Sequence, residues 1–459
     1  MNTWRKTVCF FLSFLLLFSS FSLLCYGTEK EAPSMDRAAS VWFYHLETET
    51  LVLSKNENVN VGAGSSVKIM AGLLFCESLK DRLHEDIYIT DEIVDQMPGL
   101  LGHSLHIGVG DMTTVDQLLY AALCGSYNDA FYILGIVTAG SIDAFLELMN
   151  ERAREIGMDS SSFLDLTGMK SGSRTTATDM ARLMLVAYEN ELYMERCNAE
   201  SFSFSSVKIQ KTVYNRNALL CSYETQKYYN KHCNGMSAGS TTADGNCVLT
   251  VAKHDLDTYV CVVLGAEESE NVEYGYRIVN NLLDWAIDTY AYIPVISPET
   301  EICTLPVTVS DMVSEIPVRT DETVYAWLPK GIQVGTEIKY NLRLLDTSLE
   351  APVSVGDFVG YVAIVYGDRV LGTVKLYAMA DAERSAVAST LADIQNIMKN
   401  RVFVAGLLFF VLAMTAWIVS ECLISRHRKH KWDKYFSGKM ELSEDILKTK
   451  GPKDRKDRF

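Results

Sequence analysis

The chain has 459 residues, 48% hydrophobic and 22% charged, with no long low-complexity run, which suits an ordered main domain with a smaller companion. The net charge of −16 is unevenly placed: from Glu421 onward twelve Lys/Arg stand against seven Asp/Glu, a net of +5, leaving −21 before it. An acidic body excludes a nucleic-acid partner, because phosphates demand clustered Lys and Arg.

Arg5 and Lys6, an apolar run from Val8 to Leu24, and the small or polar pair Gly27-Thr28 read as a secretory signal over residues 1–27. The run is long for a signal, so an uncleaved anchor is the alternative. Leu24 before Cys25 is larger than lipoprotein processing accepts. Ser40–His45 then reads as a strand with Leu51-Val52-Leu53 as its hairpin partner. Gly64-Ser65-Ser66-Val67-Lys68 leads into an apolar helix over Ile69–Leu79, with Ser65 where that helix begins. Residues 114–156 are predicted helical, Leu118, Leu119, Ala122 and Leu123 forming one stripe and Ala144–Ile156 another. A further helix starts at Thr178-Asp179 and runs through Ala187.

From Gly245 the texture changes to paired strands, Asn246–Ala252 and Tyr259–Gly265. A helix with Ile278, Leu282, Leu283 and Ile287 at helical spacing follows. This order predicts an α+β domain over 28–295, with helices on both sides of an antiparallel sheet. Residues 296–380, rich in Val and Thr with Gly356, Gly360, Gly367 and Gly372 between short runs, read as a small all-β domain. A helical stalk is expected over 381–401. Residues 402–420 carry no charge, long enough at about 1.5 Å per residue to span a bilayer core. Arg426, Arg428, Lys429 and Lys431 follow, so the tail 421–459 is expected in the cytoplasm and the body outside the cell membrane.

Of eleven cysteines, Cys9 and Cys25 fall in the signal and Cys422 at the inner end of the anchor. The other eight show no Cys-x-x-Cys pattern, which gives no support to a zinc or thioredoxin-like centre. Cys247 and Cys261 flank the expected hairpin turn at 253–257, on neighbouring strands though not directly opposite, and are a candidate disulfide. His103 and His106 lack a third ligand at a recognisable spacing, so neither a metal nor another cofactor is expected.

Ser65 and Lys68, three apart at a helix start, share one helix face, so the amine can reach the hydroxyl. A serine needs a base to become a nucleophile, and a lysine serves once burial and positive neighbours lower its pKa. Ser126-Tyr127-Asn128 adds a hydroxyl and a carboxamide two apart on a turn, one to relay a proton and one to hold an amide. Each motif alone is commonplace. Alone, Ser-x-x-Lys is more often chance, and Ser-x-Asn more often a helix cap.

Together and in this order they resemble the penicillin-recognising serine enzymes. The likeness extends to Thr114-Val115-Asp116-Gln117-Leu118-Leu119, Met149-Asn150-Glu151, Phe163–Met169, Thr176–Ala181 and Asn215-Arg216-Asn217. It is similar, over roughly residues 36–380, to the low-molecular-mass serine D-alanyl-D-alanine carboxypeptidases. No Glu-x-x-Leu-Asn deacylation motif of class A β-lactamases is found. The resemblance implies a β-lactamase/transpeptidase-like helix–sheet–helix domain and acyl transfer on peptidoglycan stem peptides. It makes Ser65 the nucleophile, Lys68 the base and Ser126 the proton relay, with Asn128 holding the peptide and β-lactams as covalent ligands.

The third motif departs from the family's Lys-Thr-Gly. Ser237 stands at the lysine position and Ala238 at the threonine position, before Gly239 and Ser240. Gly239 lets a ligand lie close, and the Ser240 amide joins that of Ser65 as an expected oxyanion hole. Losing the lysine removes a charge beside an anionic ligand, an expected loss of about two orders of magnitude in turnover. It should also let the Lys68 pKa drift up. Arg174, Arg216 and Arg277 are candidate replacements. The competing reading is a catalytically impaired homologue serving as a wall-binding or regulatory module.

Overall fold

The protein is described by a computed structural model covering residues 30–223 and 226–448. The expected signal 1–27 and the last residues of the tail lie outside these. The chain forms two compact units: residues up to Val295 with Tyr325–Glu337, and Ile296–Val324 with Ile338 onward.

The first unit opens with strands β1 (Ser40–His45) and β2 (Thr50–Lys55), followed by helix α1 (Val67–Leu79). Apolar residues surround α1, and Val67, Ile69, Met70, Ala71, Leu73 and Phe75 are fully buried. A helix apolar on all sides belongs in the centre of a fold. Helices α2 (Val115–Leu123), α3 (Asn128–Ala139), α4 (Ile142–Ile156), α5 (Ala177–Tyr188) and α6 (Glu191–Asn198) complete the helical part. Their starts are set by sequence: the hydroxyls of Thr114, Ser141 and Thr176 and the side chain of Asn190 accept first-turn amides of α2, α4, α5 and α6.

Strands β3 (Cys233–Thr241), β4 (Gly245–His254) and β5 (Asp257–Ala266), then helix α7 (Tyr274–Thr289), close the unit. The five strands form one antiparallel sheet in the order β2-β1-β5-β4-β3, which leaves β3 at an edge. Side chains of β4 alternate between two cores. Cys247, Leu249 and Val251 join α1 on one face, while Val248 and Ala252 join Leu282 and Leu283 of α7 on the other. Helices therefore cover both faces, and this is why β4 and β5 read as nearly continuous apolar runs.

The same alternation corrects the disulfide expectation. Cys261 stands opposite Thr250, and Cys247 opposite Gly239, on the other face of the sheet. Both thiols are free and buried.

Trp327 belongs with the first unit although it lies within the β-rich stretch of sequence. Its Nε1 donates to the Tyr259 hydroxyl at 3.2 Å, and its ring stacks on His45 and Tyr290.

The second unit carries strands β6 (Cys303–Thr308), β7 (Glu315–Arg319), β8 (Ile338–Leu344), β9 (Leu349–Glu350), β10 (Phe358–Tyr366) and β11 (Arg369–Ala378). They form one sheet in the order β8-β10-β11-β7-β6-β9, around buried Ile316, Val318, Val362, Ile364 and Leu376. Helices α8 (Ala386–Lys399) and α9 (Arg401–Lys448) follow. Within α9, Arg401–Tyr435 is long and apolar enough to cross a membrane.

Candidate active site

A tight turn, Gly64–Ser66, delivers the chain into α1 and sets Ser65 at the helix start, 6% exposed. The Ser65 hydroxyl donates to the carbonyl of Gly239 on β3 at 2.9 Å. Behind the turn lies the 165–170 loop, gathered by Asp165, whose Oδ2 accepts from the amides of Thr167, Met169 and Lys170 and from the Thr167 hydroxyl. This loop touches the turn through Gly168, at φ +79°, where a β-carbon would stand 2.0 Å from the Gly64 carbonyl oxygen. Only glycine fits there.

Lys68 is 8% exposed. Its Nζ donates to the hydroxyl of Ser126 at 2.9 Å and to the Ser126 carbonyl at 3.0 Å, and lies 5.2 Å from the centre of the Phe131 ring. Ser126 can offer both oxygens because it occupies the left-handed region, φ 56°, in the short link between α2 and α3. Burial holds the Lys68 amine down at about 7; Arg216 pushes the same way and Asp165 opposes. Burial is the main cause of this depression and Arg216 the next, so the amine is held low with serine at the third-motif lysine position.

Asn128 begins α3. Its Nδ2 donates to the Leu101 carbonyl at 2.5 Å and its backbone amide to the His103 carbonyl at 2.8 Å, so it anchors the 101–103 loop. Its buried Oδ1 has no hydrogen-bond partner among the described residues. His103 stacks on Tyr127, and its Nε2 bonds the Gly125 carbonyl at 3.0 Å. Burial and then Arg216 lower its pKa, so the ring braces the Ser126 turn as a neutral donor. Among the described residues no cluster of three His, Cys, Asp or Glu could hold a metal.

Edge strand β3 forms the opposite wall. Its register places Ser237, Ala238, Gly239 and Ser240 against Leu249, Val248, Cys247 and Asn246. A β-carbon on Gly239 would stand 3.0 Å from Ser65 Cβ and Oγ, tighter than ordinary contact, so this position stays small. Ser237 and Ala238 line one cleft with Lys68, Ser126 and Arg216.

The three arginines separate cleanly. Arg174 pairs through its backbone with Gly62 and Ser162, and Arg277 is exposed on α7. Arg216 alone of the three lines the cleft. Buried neighbours hold its loop: Asn215 Nδ2 donates to the carbonyls of Cys197 and Ala199, while Asn217 Oδ1 accepts from the Leu219 amide. The guanidinium is exposed and takes part in no ion pair among the described residues. Sequence alone gives these arginines equal weight. The signal that distinguishes Arg216 is its position between two asparagines whose side chains serve the backbone. The site thus brings together two hydroxyls, an amine held at about 7 and an exposed cation, groups that can serve acyl transfer from a substrate ending in a carboxylate.

Comparison with known proteins identifies the family. Residues 27–268 match the family model described as D-alanyl-D-alanine carboxypeptidase, and 292–384 match the penicillin-binding protein 5 C-terminal domain. The D-alanyl-D-alanine carboxypeptidase DacC of Escherichia coli is 27% identical over 388 residues, 83% of this chain and 92% of that protein. DacF of Bacillus subtilis is 24% identical over 361 residues, 77% and 88% of the two chains. In structure, penicillin binding protein 6B from Escherichia coli superposes with a TM-score of 0.56 at 20% identity, over 76% of this chain and 97% of that one.

Proposed function

Because the chain belongs to the D-alanyl-D-alanine carboxypeptidase family and is a serine-type D-Ala-D-Ala carboxypeptidase, we propose that Ser65 forms its acyl-enzyme on peptidoglycan stem peptides. The observation that carries this assignment is the Lys68 amine, held at about 7 beside the Ser126 hydroxyl one helical turn from Ser65. The Ser65 hydroxyl turns from Gly239 toward Lys68 and attacks the penultimate carbonyl, while Lys68 takes its proton. The amides of Ser65 and Ser240 face the developing oxyanion. Ser126, bonded to Lys68, passes the proton to the departing D-alanine nitrogen, and water then cleaves the ester.

Asn128 Oδ1 receives a substrate amide. Arg216 receives the terminal carboxylate in place of the missing third-motif lysine, and Ser237 and Gly239 form the wall against which the peptide lies. The 402–420 segment anchors the protein, with the body outside and the basic residues after Glu421 in the cytoplasm. β-Lactams, whose strained amide and carboxylate present the same features, acylate the same serine.

Mass spectrometry of the protein after prolonged exposure to a β-lactam tests the assignment. An adduct is expected on the Ser65 peptide and not in Ser65→Ala. A saturated wild type with no adduct would remove the acyl-enzyme and favour a binding module.

A further inference from the structure

A second cavity begins at the same strand. Ala238, Gly239 and Ser240 of β3 line it with Arg216, Asn246, Glu273 and Tyr276. It therefore starts one peptide from the nucleophile, whose hydroxyl donates to the Gly239 carbonyl. Pairing of Ser240 with Asn246 and of Ala238 with Val248 sets these side chains on the α7 face of the sheet, and Glu273 stands at the start of α7. This places the cavity on the route of the residue beyond the scissile bond, whose carboxylate Arg216 receives.

The far wall is built from acceptors. Asn246 is 1% exposed, and its Oδ1 has no hydrogen-bond partner among the described residues. Glu273 is half-buried and forms no ion pair among the described residues. Glu268 stands opposite Glu273 in a short hairpin and adds negative potential. The nearby Lys227 ammonium donates to the Asn271 carbonyl and lies over the Tyr228 ring, while the Tyr276 hydroxyl accepts from the Ala218 amide. Burial, and then Glu268, raise the Glu273 carboxyl above its ordinary range, while Arg216 and Lys227 pull it the other way. Asn246 Oδ1 lies against Gly275 of α7, so the carboxylate of Glu273 is the group on this wall that a cationic side chain would meet.

We propose that this cavity is a subsite for the leaving residue that accepts a cationic side chain, with the α-carboxylate at Arg216 and the ammonium at Glu273. The proposal rests on Ser65 as the nucleophile and leaves the chemistry unchanged. The Ser65 oxygen forms the ester, the amide C–N bond breaks, the leaving nitrogen gains a proton, and water regenerates the hydroxyl. The reaction releases a basic D-amino acid where the established one releases D-alanine.

The test compares kcat/KM of the full chain in detergent on three peptides differing only in the last residue: D-Ala, D-Lys or D-norleucine. D-Lys should exceed its uncharged counterpart D-norleucine by about tenfold. Glu273→Gln should bring that ratio close to one, and Glu273→Asp should keep part of it. Turnover of the D-Ala peptide with D-Lys no better than D-norleucine would overturn the subsite alone, as would a ratio undiminished in Glu273→Gln. Absence of turnover on every peptide would overturn the Ser65 reading and the subsite with it.

Discussion

The two walls of the catalytic cleft are held in different ways. The helical wall, with Ser65, Lys68 and Ser126, is buried and fixed from several sides: Gly168 backs the turn, Phe131 underlies the amine, and two Ser126 oxygens receive it. The strand wall is a sheet edge, where Ser237 and Ala238 form backbone pairs on one side and open onto the cleft on the other. A buried wall sets its own electrostatics through desolvation, whereas an open edge depends on whichever charges stand near it. The altered third motif falls on the second wall, while the base on the first is held low mainly by its own burial.

The sharpest way to break this contrast is to remove the base. Lys68→Met should lower β-lactam acylation by at least about a thousandfold, roughly 4 kcal/mol of transition-state stabilisation. In the wild type the rate should climb with pH and level off above about 7, since only the neutral amine accepts the proton. Stopped-flow acylation over a pH series measures both, and a flat profile through neutrality would contradict the assignment.

A smaller effect is expected on the open wall. Arg216→Leu should reduce kcat/KM on a D-Ala-D-Ala peptide by about a hundredfold, the scale of a lost charge-assisted hydrogen bond. The midpoint of the pH profile should also move upward, because Arg216 contributes to holding Lys68 low. Arg216→Lys should recover part of the loss. Little change in Arg216→Leu would assign the carboxylate to another group.

The smallest change sharpens the comparison by adding what the strand lacks. The double substitution Ser237→Lys with Ala238→Thr should raise acylation and peptide cleavage by about tenfold, near 1.4 kcal/mol. The gain should weaken only modestly with salt, as a cleft charge is poorly screened. A slower double mutant would mean that the added charge competes with Arg216 for the carboxylate instead of adding to it.

The sheet-and-helix order and the start of α1 are readable from periodicity, because both faces of the sheet are covered and the helix carries no polar stripe. Strand β3 is not. Cys233–Thr241 is rich in Gly, Ser and Ala, which have no strand preference, and only its flanks identify it. The Cys247–Cys261 expectation fails on register: Cys261 faces Thr250, and Cys247 lies three positions from Thr250, an odd step that turns the side chain to the other face. The role of Arg216 and the partial use of Asn128 as a loop anchor depend on distant backbone carbonyls, which no local pattern encodes.

The burial of Lys68 also has a consequence for folding. A lysine ordinarily releases its proton near 10.5, and here does so near 7, so between those values the unfolded chain binds a proton that the folded chain lacks. Stability therefore rises with pH across that window, and below it the full cost of an interior ammonium falls on the folded state. Lys68 costs the fold most on the acid side of neutrality, where the base is also least active. Its activity is restored near 7, while its stability cost is relieved only above that, as the unfolded chain in turn loses its proton.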